Sequence, residues 1–314
     1  MNYITEQKNL EGHIHSVFKN ACNIVINDKF ITILSKYKYM GPMSLTVDNE
    51  VETNFISIGL KQGLKVEINV NGIIYPKENI YIDMQNAKLW GSEAELKPSA
   101  VAEKNILDNL ILIENTIKTK GKLYGIGPLI NILAGEMPEL NLMKFPIEYF
   151  DNNFNFIRNR FINFMNIAAA FDIENISYSA EKVIGFGTGL TPSMDDFICG
   201  MMISFTYLGD YYKLNLEPIY EFNKELIKRG LNKTTKVSSE LLKHSSLGRT
   251  NEAVRQLMHS ILHDLEEEKI IKALINTIGF GETSGTDTAL GVYTGCRIMT
   301  NLRYRRVWLN EAMH

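Results

Sequence analysis

The hydrophobic period of this sequence changes once, near residue 97, which commits the chain to strands in one part and helices in the other. Between Ile14 and Trp90, apolar residues fall in short runs broken by polar or glycine turns: Cys22–Ile26, Phe30–Leu34, Phe55–Ile58 and Leu64–Val70. Runs of this length, rich in Ile, Val and Phe, are predicted as strands. Val66, Ile68 and Val70 alternate with Glu67 and Asn69, so one face is expected to be buried and the other wet. In Val70-Asn71-Gly72-Ile73, Asn-Gly between apolar strands predicts a type I′ hairpin with two positive-φ residues. After Lys97-Pro98 the spacing becomes helical. Helices are predicted over Ala100–Lys118, Pro192–Leu208, Pro218–Arg229, Glu252–Glu268 and Gly285–Asn301. Phe150, Phe154, Ile157, Phe161 and Phe164 form a stripe whose helical spacing assigns it to core packing. The expected fold is α+β: a small antiparallel β-sheet or barrel in residues 1–96, packed on a mostly α-helical part, residues 97–314, that carries two glycine-rich loops. No Pro- or Ser-rich linker separates the parts, so one body is expected.

Composition narrows the function class. The 314 residues carry 33 basic and 36 acidic side chains, a formal charge of -3. That balance supplies no broad positive field for a nucleic-acid backbone, so no nucleic-acid partner is expected. Cys22, Cys199 and Cys296 are far apart and lack metal-type spacing, which suits a reducing compartment. The opening residues MNYITEQKNLEGHIH contain no apolar signal segment. The most apolar stretch, Phe197–Leu208, is short of the roughly 20 residues that a membrane span needs. A soluble, cytoplasmic chain with no membrane partner is expected.

The chemistry-bearing residues gather on the two glycine-rich loops. Ile184-Gly185-Phe186-Gly187 is echoed by Ile278-Gly279-Phe280-Gly281, and each copy leads through Thr and Gly to acidic residues and an apolar helix. In the first loop, Gly185, Gly187 and Gly189 alternate, Thr191 is a good N-cap and Pro192 suits the first helical position. A helix start of this kind, with the Thr191 and Ser193 hydroxyls beside free N–H groups, favours a phosphate or carboxylate. Asp195 and Asp196 in the first turn complement the helix dipole. They also suit Mg²⁺, an amide or ammonium group, or a general base, and the sequence leaves capping and function both open. In the second loop, Thr283, Ser284 and Thr286 offer hydroxyls and Asp287 a carboxylate. Gly291 and Gly295, four apart, allow close approach to the small surface of Cys199 and Gly200, so the two helices are expected to cross and bring the loops together. Thr234–Ser239 is also hydroxyl-rich, with Lys236, Arg249 and Arg255 as candidate cations. The first loop lacks the Gly-Lys-Ser/Thr of a Walker A motif and the spacing of a dinucleotide fingerprint. His259 and His263, one turn apart, have metal-compatible spacing, but Glu266–Glu268 nearby marks an exposed face.

Gly187-Thr-Gly-Leu-Thr-Pro-Ser-Met-Asp-Asp-Phe resembles the signature of a bacterial family long filed as a domain of unknown function, in which Thr-Pro-Ser-Gly-Asp-Asp is usual and Met194 here replaces the glycine. One branch is the AllH-type subunit of oxamate carbamoyltransferase. The resemblance extends to His15-Ser16-Val17-Phe18, Gly41-Pro42, Thr234–Ser238 and Gly281–Asp287. It implies a subunit of a heteromeric enzyme that moves a carbamoyl group between oxalurate and phosphate, giving oxamate and carbamoyl phosphate, in allantoin and purine nitrogen catabolism. On that reading Gly187, Thr188, Gly189, Thr191, Ser193, Thr283, Ser284 and Gly285 bind the anionic substrate. Asp195, Asp196 and Asp287 orient the amide or a metal such as Mg²⁺. The partners implied are phosphate, carbamoyl phosphate or oxalurate, and the other subunits. The alternative is a non-catalytic structural or metabolite-sensing subunit of the same kind of complex.

Overall fold

The structure is a computed structural model that describes residues 9–27, 29–49, 52–91, 102–122, 124–133 and 152–311. It divides into two compact units, Met1–Ser92 and Glu93–His314. The layout is α+β, as expected.

The first unit is a seven-stranded sheet made of β1 (Leu10–Val17), β2 (Ala21–Ile26), β3 (Lys29–Leu34), β4 (Ser44–Thr46), β5 (Lys65–Asn69), β6 (Gly72–Tyr75) and β7 (Ile80–Asp83). The spatial order is β4-β3-β2-β1-β5-β6-β7. Every pairing is antiparallel except β3 with β4, which is parallel. Alternation supplies one apolar face, where Ile14, Ile24, Ile33, Val66, Ile68 and Ile73 are buried.

Three local expectations fail in this unit. Phe55–Ile58 is a turn, not a strand: Phe55 is buried as an anchor while Ile56 and Ile58 stay exposed. Asn54 Oδ1 there accepts the Ile56 and Ser57 N–H groups, drawing the backbone into a turn. The β5–β6 hairpin forms, but its loop is Val70-Asn71, because Asn69 pairs with Gly72. Neither Asn71 nor Gly72 has positive φ. Asn69 Oδ1 closes the turn instead, accepting the N–H of Asn71 at 2.9 Å and of Gly72 at 3.1 Å. Val70 therefore sits at the tip, 50% exposed, rather than on the buried face.

The second unit is helical: α1 (Glu103–Lys120), α2 (Ile130–Leu133), α3 (Asn152–Ala169), α4 (Ile176–Ala180), α5 (Ser193–Tyr211), α6 (Glu217–Lys228), α7 (Lys236–Ser246), α8 (Glu252–His263), α9 (Glu267–Ile278) and α10 (Ser284–Glu311). The predicted helix over Glu252–Glu268 ends early. Asp264 is extended, and Asn109 of α1 donates to the carbonyls of Ile261 and Asp264, so the chain breaks there and restarts as α9. Of the aromatic stripe, Ile157, Phe161 and Phe164 are buried; Phe150 and the Phe154 side chain lie outside the described residues. Among the described residues no helix is long and apolar enough to cross a membrane.

The helix α5 is apolar nearly all round and runs through the middle of this core. Its partner is α10, and the two approach backbone to backbone. A Cβ on Gly200 would lie 2.2 Å from the Thr288 carbonyl oxygen, and one on Gly291 would lie 2.0 Å from that of Phe197. Real Cβ atoms cannot occupy such positions, so the crossing requires glycine at both. Ser204 reinforces it, its hydroxyl reaching the Val292 carbonyl at 2.9 Å and its own Gly200 carbonyl at 3.0 Å. Because Gly200 and Gly291 lie in the early turns of their helices, the crossing sets the two helix starts side by side.

Candidate functional site

The two glycine-rich loops meet at those helix starts. Thr191 Oγ1 lies 2.9 Å from Ser284 Oγ, a hydroxyl-to-hydroxyl hydrogen bond across 93 residues of sequence. Thr191 is thus engaged with the other loop and does not cap α5. The residue before the first helical turn is Pro192, without a side-chain cap. The loop supplies the missing acceptors itself. Met194 N–H donates to the Phe186 carbonyl at 3.0 Å, and those of Asp195 and Asp196 donate to Pro192 at 2.9 and 3.2 Å. Among the described residues this leaves Ser193 with the one N–H of the first turn that has no such acceptor. Gly187, at φ +122°, allows this path: a Cβ there would lie 2.4 Å from the Ser193 nitrogen.

Exposure falls from the loop inward. Gly187, Thr188 and Gly189 are exposed, Thr191, Thr283 and Ser284 are half-buried, and Ser193, Asp195, Asp196, Gly285 and Asp287 are buried. Gly285 packs against the carbonyls that end α9, with Thr277 O 2.1 Å from where its Cβ would be.

The three aspartates differ sharply. Asp195, 0% exposed, is saturated by the chain: Gly185 N–H donates to Oδ1 at 2.7 Å, and the Ser238 hydroxyl (2.6 Å) and the Thr234 hydroxyl donate to Oδ2. Burial raises its pKa and these three donors oppose the rise. The bonds tie the first loop to the start of α7, where Thr235 caps the helix through the Ser238 N–H and donates its own hydroxyl to the Leu190 carbonyl. Asp196 is 6% exposed, and its Oδ2 has no hydrogen-bond partner. Burial holds its carboxyl well above the ordinary range; the Ser284 and Thr191 hydroxyls oppose this, and the charges of Asp287 and Asp195 add to it. Asp287 is 0% exposed and neither of its oxygens has a partner at hydrogen-bonding geometry. Burial pushes its carboxyl up to about 7, opposed by the Ser193 and Thr283 hydroxyls and the Ile126 N–H nearby. Elsewhere on α10 the buried hydroxyls of Thr288, Thr294 and Thr300 all find the carbonyl one turn back, at 2.7, 2.7 and 3.0 Å. Buried polar groups are normally paired in this way. Asp196 Oδ2 and both oxygens of Asp287 are not, and they share this with a few other buried atoms such as the Tyr207 hydroxyl and Asn223 Oδ1.

A third segment, after α1, is missing from the sequence-based assignment. Lys122 N–H donates to Thr286 Oγ1 at 3.1 Å, and its ammonium donates to the Gly281 carbonyl at 2.7 Å on the exposed side of the second loop. Gly125 lies against the site, its Cβ position 3.1 Å from Ser193 Oγ and 3.9 Å from Asp287 Oδ2. The Gly-x-Gly-Pro run at 125–128, between two helices, is the signal that marks this segment in the sequence.

Lys236 begins α7, next to the Thr234, Thr235 and Ser238 contacts with the first loop, Arg249 precedes α8, and Arg255 lies within it. The rings of His259 and His263 lie 4.6 Å apart, tilted by 41°, the first exposed and the second edge-on to Tyr211. Among the described residues no group of three or more His, Cys, Asp or Glu side chains is placed to hold a metal ion.

No solved structure matches the chain. A family model described as oxamate carbamoyltransferase subunit AllH matches residues 183–296, a span that contains both glycine-rich loops. A second model, the AllH family N-terminal domain, matches residues 1–89, the span of the sheet. With both models matched in order and together covering most of its length, the chain belongs to the AllH family of oxamate carbamoyltransferase subunits.

Proposed function

We propose that this chain carries the part of an oxamate carbamoyltransferase that binds a small anion and orients a carbamoyl group. The observation behind this reading is the Thr191–Ser284 hydroxyl bond beside two buried carboxyls with unpaired oxygens, which gathers donors for an anion and acceptors for an NH₂ in one place. In the reaction a phosphate oxygen attacks the carbamoyl carbon of oxalurate. The bond from that carbon to the oxamate nitrogen breaks, and the departing nitrogen takes a proton, giving oxamate and carbamoyl phosphate. Ser193, Thr191, Thr283 and Ser284 serve the anion, with Thr188 and the Gly187 and Gly189 backbone at the exposed rim. Asp196 and Asp287 receive the carbamoyl NH₂. Asp195, already saturated, is a positioning residue that holds the first loop. The rate gain comes from fixed geometry and from donors placed where negative charge develops. The remaining subunits of the complex, in allantoin and purine nitrogen breakdown, supply the rest of the machinery.

A second reading, a structural or metabolite-sensing subunit, is favoured by one observation: the first-turn N–H groups of Met194, Asp195 and Asp196 are taken up within the chain. Replacing Asp196 by Asn in the assembled complex separates the two. The catalytic reading predicts a loss of oxamate-dependent carbamoyl transfer of about 100-fold or more with assembly intact, the scale of removing one transition-state contact. Full activity in the variant favours the non-catalytic subunit.

A further inference from the structure

The proposed site contains a conflict of charge. An anion is to bind beside Asp196 and Asp287, yet the groups acting on those carboxyls are hydroxyls, a backbone N–H and other carboxyls. Among the described residues no lysine or arginine joins them. The ammonium of Lys122 is directed to the Gly281 carbonyl at the exposed face of the second loop. Two carboxylates and a phosphate brought together in a buried space repel one another strongly unless a positive charge lies between them.

We propose that a divalent cation, Mg²⁺ or Mn²⁺, binds between Asp196 and Asp287 and bridges them to the phosphate group of the substrate. The inference rests on the carbamoyl-transfer reading and deepens it. Three facts carry it. Asp196 Oδ2 and both oxygens of Asp287 are acceptors without partners, on side chains more than nine-tenths buried. The two carboxyls come from the first turns of α5 and α10, which the Gly200–Gly291 crossing holds together. The hydroxyls of Ser193 and Thr283 beside Asp287, and of Thr191 and Ser284 beside Asp196, add neutral oxygen donors of the kind a hard cation accepts. Two carboxylates are fewer than an all-protein cage needs, in keeping with the lack of any larger cluster among the described residues. Mg²⁺ is commonly held by one or two carboxylates together with substrate phosphate and water. Cation and anion should therefore each raise the affinity of the other, reciprocally.

The test is Mn²⁺ binding to the full chain, followed by electron paramagnetic resonance, with and without inorganic phosphate. The expected result is one saturable site per chain, displaced by Mg²⁺, with affinity raised about tenfold or more by phosphate. Asp196→Asn and Asp287→Asn, each shown to be folded by circular dichroism, should both lose it. The wild-type titrations decide the matter even where a variant does not fold. Absence of saturable Mn²⁺ binding with or without phosphate overturns the proposal, as does a phosphate-induced rise in melting temperature that is the same in chelator as in Mn²⁺. Folded variants that bind Mn²⁺ like the wild type also overturn it. Carbamoyl transfer by the assembled complex that survives exhaustive chelation removes the cation and leaves the transfer reading intact. Mn²⁺ binding in a complex without transfer supports the cation and removes the transfer reading.

Discussion

Asp195 and Asp196 are neighbours in sequence and opposites in circumstance. Helical geometry turns successive side chains by about 100°, so one carboxyl faces the Gly185 loop and α7, while the other faces α10. Removing Asp195 strands three donors, the buried Ser238 hydroxyl and the half-buried Gly185 N–H and Thr234 hydroxyl. Asp195→Ala is predicted to cost about 1–3 kcal/mol, read as a lower midpoint in urea unfolding. The reverse holds for Asp287, whose oxygens have no partner at hydrogen-bonding geometry. Its carboxyl titrates near 7 in the folded state against about 3.8 unfolded, so the folded state binds more protons between those values. That contribution to stability is fully present below about pH 4 and is lost as pH rises through about 7. In chelator, the metal-free protein should lose up to about 4 kcal/mol from this group between pH 4 and 8. Asp287→Asn should flatten that slope and melt higher than the wild type at pH 8. A variant with the wild-type slope would show that Asp287 is not the titrating group. This residue-level division was not legible in the sequence. Two adjacent acids at a helix start read alike until the positions of Gly185, Ser238 and α10 separate them.

At the scale of elements, the α5–α10 crossing decides whether there is a site at all. It was legible: small residues at 199–200 and at 291 and 295 announced a close approach, and the echo of Ile-Gly-Phe-Gly announced paired loops. Gly291→Ala puts a methyl group 2.0 Å from the Phe197 carbonyl, against backbone that has no room to give. It should destabilise the chain by at least about 1–3 kcal/mol, the usual cost of overpacking, and weaken anion binding in whatever population remains folded. A melting temperature equal to the wild type would show that the helices can separate freely. What failed at this scale were boundaries set by side chains distant in sequence. Asn109 capping the end of α8 and Asn69 closing the β5–β6 turn are long-range or non-periodic events, and no hydrophobic period reports them. The Lys122–Gly127 segment escaped notice for the same reason: it has no apolar period, and its role comes from where α1 ends.

At the scale of the whole molecule, the change of period announced the α+β layout, strands first and helices after them, and the family match spans parts of both units. The chain is a subunit by family, so the account predicts that it co-purifies with other chains and that carbamoyl transfer needs them. Turnover of carbamoyl phosphate with oxamate by the purified chain alone would contradict this. On the function proposed above, both loops address one small anion. A ligand that binds only the native state raises its melting temperature, and the more so the further its concentration exceeds the dissociation constant. The most direct measurement is therefore the shift produced by carbamoyl phosphate in the presence of Mg²⁺, for the wild type, Ser193→Ala and Ser284→Ala. The account predicts a rise of several degrees in the wild type that either substitution removes or greatly reduces. No shift in the wild type, or a shift that survives unchanged in both variants, would contradict it.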